Sequence, residues 1–143
     1  MGKKYLTIII ILVSLLSCSS NVSSPRDTPL DYKDIKHLKI EYQNIFNLEK
    51  EMYFAYFFSE NCHYCNQIKE KVITYALTMS DCFYFIEYTT DIPLLEDVHN
   101  TIGCSSTDCF GIKGTPTLVL ISDYKVEMNL CGAKTISAFL NLL

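Results

Sequence analysis

The chain has 143 residues, 49% of them hydrophobic, with a mean hydropathy of +0.15 and a formal net charge of −4. That length suits one domain with an ordinary core, and the apolar content excludes a disordered chain. Lys and Arg form no run beyond the extreme N-terminus, which argues against nucleic acid as a partner, and seven Cys suit an oxidising compartment. In chain order, "MGKKY" is a short basic segment ahead of the apolar run "LTIIIILVSLL". The run falls short of the ~20 apolar residues a membrane-spanning helix needs. It reads as the apolar part of a signal peptide over residues 1–17. Residues 18–30, "CSSNVSSPRDTPL", are rich in Ser, Pro and Thr and read as a flexible tether, leaving 31–143 for the folded domain.

Within the domain, Ile35 and Leu38 suit a short strand or a first helical turn, and Glu41, Tyr42, Ile45, Phe46 and Leu48 suit an amphipathic helix. "MYFAYFFS", 52–59, is almost wholly apolar and aromatic, the pattern of a strand covered on both faces. From Cys62 onward, Cys65, Ile68, Val72, Tyr75, Ala76 and Met79 recur at helical spacing, with Asn61 or Glu60 as the expected cap. "FYFIEYTTD", 83–91, predicts a second strand. Pro93 followed by Leu94, Leu95, Val98 and Ile102 predicts another helix. "TLVLISD" and "KVEMNLCG" predict two strands joined tightly at Asp123 and Tyr124 as an antiparallel hairpin, and "AKTISAFLNLL" a closing amphipathic helix. The order β-α-β-α-β-β-α indicates an α/β sandwich around one mixed sheet.

The chemistry centres on Cys62 and Cys65, two residues apart where an apolar strand gives way to a helix. Taken alone, such a pair can be a redox couple, half of a zinc site or a structural disulfide. Cys104 and Cys109 flank "SSTD" and have the same range of readings: a disulfide stapling their loop, a second redox pair passing electrons to Cys62 and Cys65, or the other half of a four-thiolate zinc site.

The element order with "CHYC" at a strand-to-helix junction resembles the thioredoxin fold, a three-layer α/β/α sandwich with a mixed central sheet. Two further features carry the likeness: "FGIKGTPT", 110–117, which looks like the family segment whose proline is cis and faces the dithiol, and Gly132 between the last strand and the last helix. The resemblance covers residues ~40–143 and implies a thiol–disulfide oxidoreductase. A cysteine at a helix N-terminus meets unpaired N–H groups and the positive end of the helix dipole, which favours its thiolate. Cys62 is therefore the expected nucleophile and Cys65 the resolving cysteine, with His63 and Tyr64 tuning the thiolate and Thr115 and Pro116 holding substrate peptide. "CHYC" and Thr115 look closer to extracytoplasmic thiol oxidases and isomerases than to cytoplasmic thioredoxins. Where the latter have a buried Asp, six residues before the first Cys, this chain has Tyr56; the family Trp is Asn61. In length and layout the chain also looks similar to lipid-tethered thioredoxin-like proteins and bacteriocin-transport accessory proteins.

Leu15, Leu16 and Ser17 before Cys18 resemble the lipobox of bacterial lipoproteins, which implies a lipid on Cys18 and a domain anchored outside the cell membrane. The partners implied are thiol- or disulfide-containing proteins, the membrane through that lipid, and a membrane redox partner. Neither a cofactor nor a resident metal is implied. Cys82 and Cys131 fall on strands expected on opposite sides of the sheet, so each reads as a small buried thiol. His37 and His99 read as surface residues. The competing reading is a non-catalytic accessory module for secretion or metal handling, with Cu(I) delivery as a variant.

Overall fold

The computed structural model describes residues 28–79 and 81–143. The expected signal peptide, the expected lipid site at Cys18 and most of the expected tether lie outside the described residues. Among the described residues, four strands form one sheet in the order β2-β1-β3-β4. They are β1 (Met52–Phe58), β2 (Phe83–Glu87), β3 (Thr117–Ser122) and β4 (Lys125–Cys131). β2 runs parallel to β1, while β3 and β4 continue the sheet antiparallel. Among the described residues two α-helices accompany it, α1 (His63–Thr78) and α2 (Ala133–Leu140).

The aromatic run of β1 explains its central place. Successive side chains of a strand point to opposite faces. Phe54, Tyr56 and Phe58 enter one core, and Tyr53, Ala55 and Phe57 enter the other. Six consecutive residues are thus buried with no solvated side. α1 places Cys65, Ile68, Val72, Ile73 and Ala76 on one stripe against the first core, joined by Ala133, Ile136 and Leu140 of α2. Both α-helices therefore cover the same face.

Among the described residues, the opposite face is covered without an α-helix. Tyr42, Ile45 and Phe46 come from a 3-10 turn at Tyr42–Asn44 and the chain after it, and Ile92, Cys104, Phe110 and Ile112 from the stretch between β2 and β3. The helix predicted from Pro93 is a correction: only Val98–Thr101 is helical, as a 3-10 turn. Leu94 and Ile102, which would share that helix's buried stripe, are 60% and 48% exposed. The chain is drawn instead into a bridge between Leu94 and Ile112, with Leu95 N–H donating to Ile112 O at 2.8 Å. Gly111 permits the close approach, because a Cβ there would lie 2.6 Å from Pro93 O. The helix expected over Glu41–Leu48 likewise shrinks to the short turn.

At the domain's start, Tyr32–Leu38 is a 3-10 helix whose Tyr32, Ile35 and Leu38 are buried at a spacing of three, the period of that helix. Its capping box joins Asp31 and Asp34, and Lys39 then bridges to Phe85. At the hairpin, Asp123 and Tyr124 take φ of 49° and 62°, the paired left-handed residues of a tight turn matching strand twist.

Candidate functional site

The chemistry collects at one end of the sheet. β1 ends at Phe58, and Phe57 pairs with Thr117 at the start of β3, which pairs in turn with Cys131 at the end of β4. α1 begins over this end. Its N-cap is neither Asn61 nor Glu60 but Cys62 itself, whose backbone is extended (φ −80°, ψ 115°) while its sulfur accepts the Cys65 N–H at 3.1 Å. That is the place a Ser or Asp cap takes, and it brings the sulfur against the unpaired donors of the first turn. Negative charge there gains about 0.3–1 kcal/mol from the helix dipole, and up to ~2 when partly buried, as Cys62 is.

Cys62 and Cys65 form a disulfide, with Cα atoms 5.2 Å apart. Cys65 is fully buried beneath the helix and Cys62 reaches the surface, so an incoming sulfur meets Cys62. Facing the pair, the Thr115–Pro116 peptide is cis. Thr115 O lies 3.3 Å from Cys62 Sγ, where it can accept from that residue's thiol when the pair is reduced. Pro116 is buried and Thr115 half-buried. Two contacts fix this loop: the Thr117 hydroxyl donates to Gly114 O at 2.6 Å, and Gly132 N–H donates to Pro116 O at 2.9 Å. Gly132 caps α2 with φ 94°, a conformation that favours glycine. The family-like glycine is thus tied directly to the proline segment.

His63 and Tyr64 occupy the first exposed positions of α1. Their rings meet edge-on with centroids 5.6 Å apart, and Gln67 Nε2 lies 3.1 Å from His63 Nε2. The contacts made by the Cys62 sulfur are with the backbone of Cys65 and Thr115. Tyr56, in the same core cluster as Cys65, is fully buried, and burial pushes its phenol well above the ordinary range. Tyr32, which the sequence reading did not single out, belongs to the same cluster and stacks on Phe58; burial raises its phenol to about 12, with the charges of Asp31 and Glu60 adding to the rise. Its signal was the spacing of three that links Tyr32 to Ile35 and Leu38.

Cys104 and Cys109 also form a disulfide, on the opposite face of the sheet, with Cα atoms 5.8 Å apart. Their loop is secured to β4 by Gly103 N–H to Val126 O and Val126 N–H to Cys104 O, and to Tyr42, whose hydroxyl donates to Phe110 O at 3.0 Å. Among the described residues no three metal-ligating side chains converge, so the two pairs do not build the four-thiolate site that their spacing permits. Cys82 and Cys131 are unpaired among the described residues and half-buried rather than buried. Cys82 lies just before β2, at the end of the sheet away from the dithiol, and Cys131 lies at the dithiol's end.

No protein-family model matches the sequence, and no curated protein matches it. Solved structures do. The long form of thioredoxin f from spinach chloroplast is 14% identical, over 81% of this chain and 94% of that one, with a TM-score of 0.51. Its short form is 16% identical, over 73% and 87%, with a TM-score of 0.51. An N21Q mutant thioredoxin from Halobacterium salinarum is 20% identical, over 73% and 85%, with a TM-score of 0.47. At these identities the likeness is one of fold. The two spinach forms, with the mixed four-stranded sheet, give this chain the thioredoxin-like α/β fold.

Proposed function

We propose that this chain is a thiol–disulfide oxidoreductase that exchanges disulfides with protein substrates through Cys62 and Cys65, and that a lipid on Cys18 holds it at the outer side of the cell membrane. One observation carries the exchange: Cys62 is at once the N-cap of α1, the acceptor of the Cys65 N–H, and the neighbour of the Thr115–Pro116 segment. The basic, apolar and small-residue succession ending at Cys18 supports the anchor. Seven cysteines in a chain of this size support an oxidising compartment.

In the exchange, the Cys62 thiolate attacks a substrate disulfide, joining Cys62 to one substrate sulfur and releasing the other as a thiolate. Cys65 then attacks Cys62, closing the Cys62–Cys65 bond and freeing the second substrate sulfur. The reverse sequence oxidises a substrate dithiol. Thr115 and Pro116 hold the substrate chain against Cys62, and His63 and Tyr64 bias its thiolate from the helix surface. A membrane redox partner resets the pair after each turnover.

The test is a Cys65→Ser variant of the full chain in cells. It accumulates mixed disulfides between Cys62 and substrate proteins, and a further Cys62→Ser change removes them. If Cys65→Ser traps nothing and the wild type neither reduces nor oxidises a model disulfide, the domain is a non-catalytic accessory module. Labelling with fatty acid tests the anchor separately, since a Cys18→Ser chain takes up no label.

A further inference from the structure

The N-terminal 3-10 helix carries a second pattern beside its buried one. Tyr32, Ile35 and Leu38 face the core at a spacing of three, and Lys33, Lys36 and Lys39 follow one position later at the same spacing. A helix of three residues per turn places such a set in one row. All three lysines line an open groove of about 470 Å³, and so does Lys69 of α1. Against these four cations the lining holds two carboxylates, Asp31 and Glu60, in a chain whose formal net charge is −4. Two of the lysines are held in place. Lys69 Nζ pairs with Asp31 at 2.9 Å and Lys39 Nζ with Glu87 at 3.3 Å, and each also lies over an aromatic ring. Lys33 and Lys36 are exposed and, among the described residues, form no ion pair. The chain enters the domain on this same face: Thr28, Pro29 and Leu30 line an adjoining groove with Lys33, Asn66 and Lys69. Thr28 is the tenth residue after Cys18. Even fully extended, ten residues span at most about 36 Å, roughly the diameter of a domain this size. A domain held at a membrane by Cys18 therefore turns the lysine face towards the lipid more readily than its far side.

We propose that the face formed by Lys33, Lys36, Lys39 and Lys69 docks on an anionic phospholipid surface and so sets the orientation of the anchored domain. The proposal rests on the reading of Cys18 as the lipid site. The lipid supplies attachment, and the lysines select which face meets the headgroups. Lys33 and Lys36 supply most of the attraction, because Asp31 and Glu87 already offset the other two. The rest of the chain is acidic on balance, so the same headgroups repel it. A weak attraction suffices here, since the tether keeps the domain near the surface and makes docking an intramolecular step. Glu60 and Asn66 bracket "CHYC" and both line the groove, so a docked domain keeps its dithiol close to the bilayer. That favours membrane-embedded and surface-bound thiols as exchange partners over those free in solution.

The experiment places the lipidated chain on vesicles of phosphatidylcholine, alone or mixed with phosphatidylglycerol, and reads each lysine by trace acylation and mass spectrometry. Docking predicts that Lys33 and Lys36 react at least about fivefold more slowly on the anionic vesicles, the effect of one basic side chain near such a surface. Lys125, exposed at the hairpin, reacts alike on both. Lys33→Gln and Lys36→Gln, at exposed side chains that the fold does not need, each lower the docked-to-free ratio about fivefold, as read from the protection of Lys69. High salt removes the protection. Equal reactivity of Lys33 and Lys36 on both vesicles, or equal protection of Lys125, would overturn the docking and leave the anchor standing. Protection by a Glu-rich peptide with none from anionic vesicles would overturn it in favour of a protein-docking face. Protection that grows with chain density on neutral vesicles would overturn it in favour of a contact between copies. A chain that binds neither vesicle would remove the anchor and the docking together.

Discussion

The two disulfides of this domain have similar spans and different surroundings. The Cys62 sulfur caps a 16-residue helix, accepts a backbone N–H and lies 3.3 Å from one carbonyl, that of Thr115, and its partner Cys65 is sealed in the core. The Cys104 and Cys109 sulfurs lie in a loop, beside the carbonyls of Cys109 at 2.9 Å and Ser106 at 3.5 Å, and it is the loop's outer cysteine that is exposed. An N–H donor stabilises a thiolate and so favours the reduced pair, whereas a carbonyl accepts from a thiol and repels a thiolate. What sets the Cys62 sulfur apart from the loop sulfurs is thus the N–H donor and helix terminus it meets beside a carbonyl, where the loop sulfurs meet carbonyls. On the proposed function, the first pair opens and closes and the second stays shut.

The largest effect that could break this contrast is on exchange itself. Cys62→Ser abolishes turnover of a model disulfide, while the double variant Cys104→Ser, Cys109→Ser retains it; loss of turnover in the double variant would make the loop pair part of the redox chemistry. Alkaline titration tests whether the two faces hold together. Burial raises the phenols of Tyr32 on the dithiol's face and of Tyr42 and Tyr53 on the loop's face from 10.0 to about 12, and raises Tyr56 further. The folded state thus binds protons that the unfolded state releases, so stability is full below pH 10 and falls as pH rises from 10 towards 12. Tyrosinate absorbance and circular dichroism rise and fall in one transition if the faces unfold together, and in two if they do not.

A smaller effect concerns what the second pair contributes. Closing a loop this short stabilises by about 2 kcal/mol, so the Cys104, Cys109 double serine variant lowers the unfolding free energy by about that amount in urea. An unchanged midpoint would show that Tyr42 and the Val126 bonds hold the loop without it. The smallest effect belongs to His63→Ala. With its ring turned towards Gln67 and Tyr64, it shifts the alkylation profile of Cys62 only slightly upward in pH, and a large shift would mean that the ring, rather than the helix terminus, governs the thiolate.

Residues with a uniform local pattern disclosed their place in the sequence. The central strand was legible because six consecutive buried residues admit no solvated side, and α1 because its apolar residues keep one stripe for eleven positions. The hairpin was legible from its two-residue connection. The segment after Pro93 was not. Its leucines have helical spacing, but Leu94 and Leu95 are committed to Ile112 and Gly111, partners that follow fifteen or more residues later. The third layer is consequently made of 3-10 turns and loop where helices were expected. At the site, "CHYC" and "GTPT" announced themselves, while the capping role of Cys62 and the stacking of Tyr32 on Phe58 depend on tertiary geometry that no local spacing encodes.

The most direct test equilibrates the chain in glutathione buffers of graded poise, alkylates the free thiols and maps them by mass spectrometry. The contrast in backbone dipoles predicts that Cys62–Cys65 opens at a less reducing poise than Cys104–Cys109, by at least the ~30 mV that corresponds to a tenfold difference in equilibrium constant. Opening of Cys104–Cys109 first, or of both pairs together, would contradict it.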